Sequence, residues 1–294
     1  MAFKALRPVV AGKALAVGAA LVVVAASGTA YANTVGVTVR TPGATPGPGS
    51  ANSSVSTSAH CTGGLVSGGG INQAIGSGAG VNGNHVMGSE STEYTGSTGA
   101  VGTDVTYWIA KCASGGQVNS SFSTTPYAMC FTSSLIAHTQ VVMNKANTPT
   151  SATTVGIVTA TCPANTVLLG GGALLAPGTV GTLKPVASFP SFDDAAHDHG
   201  RKAAADGETN PDSWTAVGGI GGGRDAGNTT YAYAICSGEG VNVRNIGTTV
   251  RYRESAVPRP RAPTRRRPSA APNPTAGTGT RCWSAVAPRP AAGR

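Results

Sequence analysis

Apolar and polar positions alternate along this chain with the two-residue period of β-strands. Residues 154–162, Thr-Val-Gly-Ile-Val-Thr-Ala-Thr-Cys, alternate and are rich in β-branched side chains. Residues 101–110, 135–143, 229–235 and 241–252 behave likewise. Val35, Val37 and Val39 mark one face of a short strand within 33–40. No segment keeps an amphipathic helical period over three turns. Many short strands joined by Gly-rich turns predict an all-β fold of sandwich or barrel type.

The pattern is written twice. One half runs from Cys61 through Gly68-Gly69-Gly70 and Trp108 to Cys130, the other from Cys162 through Gly170-Gly171-Gly172 and Trp214 to Cys236. The step from Trp to the closing Cys is 22 positions in both. A shared skeleton of Cys, Gly and Trp predicts two tandem units related by internal duplication. The expected organisation is a signal peptide at 1–32, a short strand and linker at 33–54, and a first repeat at 55–143. A linker at 144–153, a second repeat at 154–252 and a disordered tail at 253–294 complete it. The Gly triplets are expected at a bulge or a close backbone approach at a strand end. Trp108 and Trp214 are expected to anchor cores rather than to stack on sugars.

The second half carries Cys162-Pro163-Ala164-Asn165, the Gly triplet, Ser188-Phe189-Pro190, Trp214 and Tyr233-Ala234-Ile235-Cys236. This resembles a repeat of uncharacterised secreted actinobacterial-type proteins, with the general form Cys-Pro-x-Gly, Gly triplet, Ser-x-Pro, Trp, Tyr-Ala-x-Cys. Asn165 stands where Gly is usual, and the first half lacks both the Pro after Cys61 and the Ser-x-Pro. The resemblance implies an exported protein and brings no activity with it.

Export is also expected from the N-terminus. Lys4, Arg7 and Lys13 precede an apolar stretch, and Ala30-Tyr31-Ala32 offers a small-x-small cleavage site before Asn33. After cleavage no transmembrane segment is expected. Outside the cytosol an even number of cysteines reads as disulfides. Cys61–Cys130 and Cys162–Cys236 are the natural pairs because they hold equivalent repeat positions. Cys112 and Cys282 are left over.

The net charge of +9 changes the picture less than it first suggests. Residues 257–294 contribute eight arginines and no acid, while residues 33–256 hold ten basic and twelve acidic side chains and net −2. A nucleic-acid partner is therefore not expected. The Arg/Pro-rich tail could attract anionic envelope or cell-wall polymers. Its composition is also what GC-rich DNA encodes out of frame, which the gene sequence would decide.

Candidate chemistry is sparse. Thr57-Ser58-Ala59-His60-Cys61 resembles the segment around the catalytic His of trypsin-like proteases, but no Gly-Asp-Ser-Gly follows it. Asp193, Asp194, His197, Asp198 and His199 could hold a divalent metal, or form a charged surface loop. No cofactor is expected. The expected function is a secreted, non-catalytic extracellular or cell-envelope protein with a structural or binding role. The alternative is a secreted hydrolase using His60 or a metal at 193–199.

Overall fold

The computed structural model describes residues 35–74, 84–114, 122–147, 154–176, 183–220, 227–252 and 287–290. The expected signal peptide, most of the tail, and Cys282 lie outside the described residues. The chain is all-β. The strands reaching through the first half are β1 (Val35–Arg40), β2 (Thr45–Pro46), β3 (Ser54–His60), β4 (Leu65–Ala74), β5 (Asn84–Glu90), β6 (Gly99–Thr103), β7 (Tyr107–Ser114) and β8 (Ser123–Ser133). There follow β9 (Thr139–Asn147), β10 (Val155–Thr161), β11 (Leu168–Ala176), β12 (Leu183–Ser191), β13 (Ser213–Ile220), β14 (Thr229–Ser237), β15 (Ile246–Thr249) and β16 (Ala287–Pro290).

The same antiparallel ladders occur in both halves. β3-β7-β5 in the first half matches β10-β13-β12 in the second, and β4-β8-β1 matches β11-β14-β9. The registers agree: Ala59 faces Trp108 as Ala160 faces Trp214, and Gly69 faces Ala128 as Gly171 faces Ala234. A bulge interrupts β4 between Val66 and Gly68 and β11 between Leu168 and Gly170. Each half thus contains two three-stranded ladders, with β2 added to β8 in the first half and β6 to β9 in the second.

Its core is assembled from the skeleton residues. Trp108 and Trp214 are buried, and each donates its indole N–H to a serine, Ser89 and Ser188 respectively. Each indole lies on the middle glycine of a triplet. A Cβ on Gly69 or Gly171 would overlap the ring of Trp108 or Trp214, so only glycine admits the indole at that distance. A disulfide joins Cys61 to Cys130 with Cα atoms 5.4 Å apart, and another joins Cys162 to Cys236 at 5.7 Å. Both tie the strand that enters the unit to the strand that closes it. Each closes a loop worth on the order of 4 kcal/mol in the chain-entropy picture. Cys112 is buried in β7 opposite Val86, the place Gly218 takes opposite Pro185.

The boundaries differ from those expected of two tandem units. β9, half assigned to the first repeat and half to the 144–153 linker, pairs along its length with β14 of the second half. β1, set apart with the 33–54 segment, plays the same part for β8. Each unit therefore takes its outer strand from the chain that precedes it, because β8 and β14 each have a second edge to satisfy. The halves are also continuous. β5 pairs with β11 through Ser89–Ala173 and Gly88–Leu174, giving a seven-stranded sheet β3-β7-β5-β11-β14-β9-β6.

Two further expectations are corrected. Strand 101–110 is broken at Asp104 (φ 49°) into β6 and β7. Residues 287–290 of the tail pair with β15, despite their prolines. Pro288 and Pro290 are two apart, so their missing N–H groups lie on one edge of the strand and the other edge can still pair.

Candidate functional site

Alternation along the joined sheet decides what stands on its outer face. Ser56, Ser58 and His60 of β3 pair with Lys111, Ile109 and Tyr107 of β7. Lys111 and Ile109 pair in turn with Gly88 and Glu90 of β5, and Gly88 leads through Leu174 to Tyr231. These residues share the face opposite the tryptophans.

Residues 91–98 cross this face as a strap. Ser56 Oγ donates to Glu93 Oε1 at 2.6 Å, the Tyr233 hydroxyl to the Tyr94 carbonyl at 2.7 Å, and Lys145 Nζ to the Gly96 carbonyl at 2.6 Å. The strap is thus pinned to β3, β14 and β9, from one side of the sheet to the other. Cavities remain on both sides of it. One, of about 310 Å³, is lined by Glu90, Glu93, Thr95, Lys111, Leu174 and Tyr231 among others. The other, of about 410 Å³, is lined by Ser56, Ser58, Ser91, Thr92, Glu93 and Tyr107 among others.

Glu90 is the outstanding side chain of this face. It is 0% exposed, and both carboxylate oxygens lack a hydrogen-bond partner. Burial pushes its pKa well above the ordinary value of 4.5; Lys111 opposes that shift, and Glu93 adds to it. The carboxyl is held toward its neutral form. Tyr233 is pushed up as well, by burial first and then by Glu90. Next to Glu90, Ser91 lines the second cavity, with its hydroxyl buried and without a partner. Buried polar groups without partners are uncommon and expensive.

The residues singled out in the sequence are distributed differently. His60 stands exposed on β3 and stacks on Tyr107, with ring centroids 4.2 Å apart. Among the described residues no Ser or Asp side chain is hydrogen-bonded to it. In the 193–199 loop, His197 contacts two carboxylates: Nδ1 lies 2.9 Å from Asp194 and Nε2 lies 3.2 Å from Glu208. The hydrogen bond to Asp194 raises the His197 pKa, seconded by Glu208, and the same bond lowers that of Asp194. His199 faces Asp193 at 3.5 Å, while Asp193 N–H donates to Asp212. His197 and His199 are thus paired with the carboxylates of Asp194, Glu208 and Asp193. Among the described residues no group of three or more His, Cys, Asp or Glu side chains is placed to hold a metal ion.

Sequence reasoning passed over Glu90. The signal was there: when the halves are aligned on Ser89 and Ser188, Glu90 falls on Phe189. A carboxylate where the other half has a phenyl ring marks a position with a different environment. No family model, curated protein or solved structure matches the chain. Among the described residues no helix is long and apolar enough to cross a membrane.

Proposed function

We propose that the protein is exported, arose by internal duplication, and works outside the cytoplasm as a non-catalytic binding or structural module. The observation that carries this reading is the pair of disulfides at equivalent positions of the two halves. Such staples persist in oxidising compartments and supplement the small cores that units of this size can build. The basic composition of residues 257–294 supports a further contact with anionic envelope polymers. The hydrolase reading finds less support. His60 stacks on an aromatic ring, and His197 spends both ring nitrogens on carboxylates.

Fractionation of cells expressing the full chain, followed by N-terminal sequencing and non-reducing peptide mapping, tests the proposal. The expected product lies outside the cytoplasmic membrane, begins at Asn33 and carries both disulfides. Full-length protein retained in the cytosol with reduced thiols would overturn it.

A further inference from the structure

We propose that the two cavities beside the 91–98 strap form one binding site for a neutral, hydroxyl-rich ligand, an oligosaccharide, with the Glu90 carboxyl as its anchor. This rests on the reading of the protein as a binding module and gives that module a ligand class and a place.

The argument begins with what Glu90 lacks. Glu90 is among the residues lining a cavity of about 310 Å³, and its two carboxylate oxygens are buried at that wall and receive no hydrogen bond from the protein. Ligand pockets are commonly this size, mostly apolar with a few convergent polar groups. Leu174, Ala176 and Tyr231 supply the apolar wall here. An occupant of this cavity that reaches the carboxyl can supply the missing partner.

The charges on the walls narrow its chemistry. An anion entering this cavity would meet Glu90 and Glu93. A cation would meet Lys111. A neutral polyol meets no like charge, and its hydroxyls both donate and accept. It can serve Glu90 in either protonation state, since a protonated carboxyl offers one donor and an ionised one only acceptors. The adjoining cavity fits the same class. Its walls carry the hydroxyls of Ser56, Ser58, Ser91 and Thr92, with that of Ser91 buried and without a partner. Tyr107, 48% exposed, adds aromatic surface of the kind on which a sugar ring can lie. Glu93 lines both cavities, so one chain of sugar units can bridge them past the strap.

The second half supplies an internal control. Its equivalent face has Phe189 in place of Glu90 and is covered by residues 192–212. There the Thr215 hydroxyl is already spent on the Gly200 carbonyl, at 2.6 Å.

The test is titration of the exported protein with chitotriose, cellotriose, xylotriose and maltotriose, followed by calorimetry and ligand-observed NMR. At least one trisaccharide is expected to bind with a Kd below about 10 mM. Glu90→Leu should weaken that binding by about tenfold or more, with Glu90→Gln intermediate and thermal unfolding confirming that both variants fold. His197→Gln, on the other face-covering loop, should bind as the parent does. Binding that survives Glu90→Leu unchanged would overturn the placement and leave the binding-module reading intact. Exported, folded protein that binds none of the four, or that binds ethylenediamine in their stead, would overturn the ligand class. Failure of export would be seen separately, by fractionation.

Discussion

The two halves of this molecule share a frame and cover it differently. From β3-β7-β5 across to β14 and β9 runs a strap of eight residues, 91–98, pinned at three points and leaving a cavity on each side. Over β10-β13-β12 runs a longer segment, 192–212, that is bonded to the sheet and to itself. Thr215 holds the Gly200 carbonyl, Ser191 holds that of Lys202, and Ala204 N–H reaches the Pro190 carbonyl at 2.9 Å. His197 clasps Asp194 and Glu208 within it. Beneath the first cover sits a buried carboxyl without partners; at its equivalent beneath the second sits a half-buried phenyl ring. Two like frames thus differ in what lies across their outer faces, because the inner faces are fixed by equivalent contacts. Trp108 on Gly69 and Trp214 on Gly171 leave no room for change, whereas a covering loop can lengthen at little thermodynamic cost.

The largest effect should come from the staples. Removing Cys61 and Cys130 together, or Cys162 and Cys236 together, should each cost on the order of 4 kcal/mol in denaturant unfolding. The loops span similar separations, 69 and 74 residues, so the two losses should agree to within about 1 kcal/mol by this loop-length argument. A clearly smaller loss in the second half would show that its denser cover takes over part of the stapling.

Next come the glycines beneath the indoles. Gly69→Ala and Gly171→Ala each put a methyl into the ring above, and each should destabilise by about 1–3 kcal/mol. Equal losses, with quenched or shifted fluorescence of the overlying tryptophan, would confirm that the frames are equivalent. A neutral Gly171→Ala would break the equivalence at its centre.

The third pair of substitutions exchanges what the covers conceal. Glu90→Leu should stabilise by about 1–3 kcal/mol by removing an unpartnered buried group, and Phe189→Glu should destabilise by a similar amount. The gain at Glu90 depends on pH. Its folded-state pKa is raised, so its favourable contribution is full below about 4.5, where the carboxyl is protonated folded or unfolded. That contribution is lost as pH rises through the folded value. The advantage of Glu90→Leu in melting temperature should therefore grow between pH 4 and pH 8; an advantage independent of pH would show that Glu90 is solvated.

The smallest effect belongs to the His197 clasp. His197 is raised from 6.5, so its contribution is full below 6.5 and lost as pH rises through the raised value. Asp194 is lowered from 3.8, so its contribution is full above 3.8 and lost as pH falls through the lowered value. Both are complete between pH 3.8 and 6.5. His197→Gln should narrow its stability difference from the parent on either side of that window. The effect should be weak, since the carboxylates are well exposed. An unchanged difference across the whole range would mean the clasp contributes nothing to the second cover.

Much of the frame was legible in the residues themselves. Alternation in 154–162 marks β10 closely because one face of that strand is more buried than the other, and the β-branched and aromatic residues of 229–235 mark β14, which is buried on both faces. The bulge and the close approach at the Gly triplets were legible because glycine tolerates what other residues cannot. The candidate site was not. Glu90 reads as an ordinary surface acid in Ser-Glu-Ser-Thr-Glu, and only the strap lying across it buries it. Conversely, 193–199 reads either as a metal site or as a charged surface loop, and it is the tertiary structure that pairs His197 with Asp194 and Glu208 and His199 with Asp193 at distances that spacing cannot reveal.

From the residues alone came the all-β class, strands such as β10 and β14, and the Cys, Gly and Trp positions around which each half closes. These follow from side-chain shape and period, which are local properties. Only the tertiary structure decided that β5 joins β11, that β1 and β9 complete the sheets of β8 and β14, and that residues 287–290 pair with β15. Every strand edge offers the same N–H and C=O groups, so the choice of partner is not written in any one strand. It is made by which edges the packed cores bring within reach, and the same packing leaves Glu90 buried beside an open cavity.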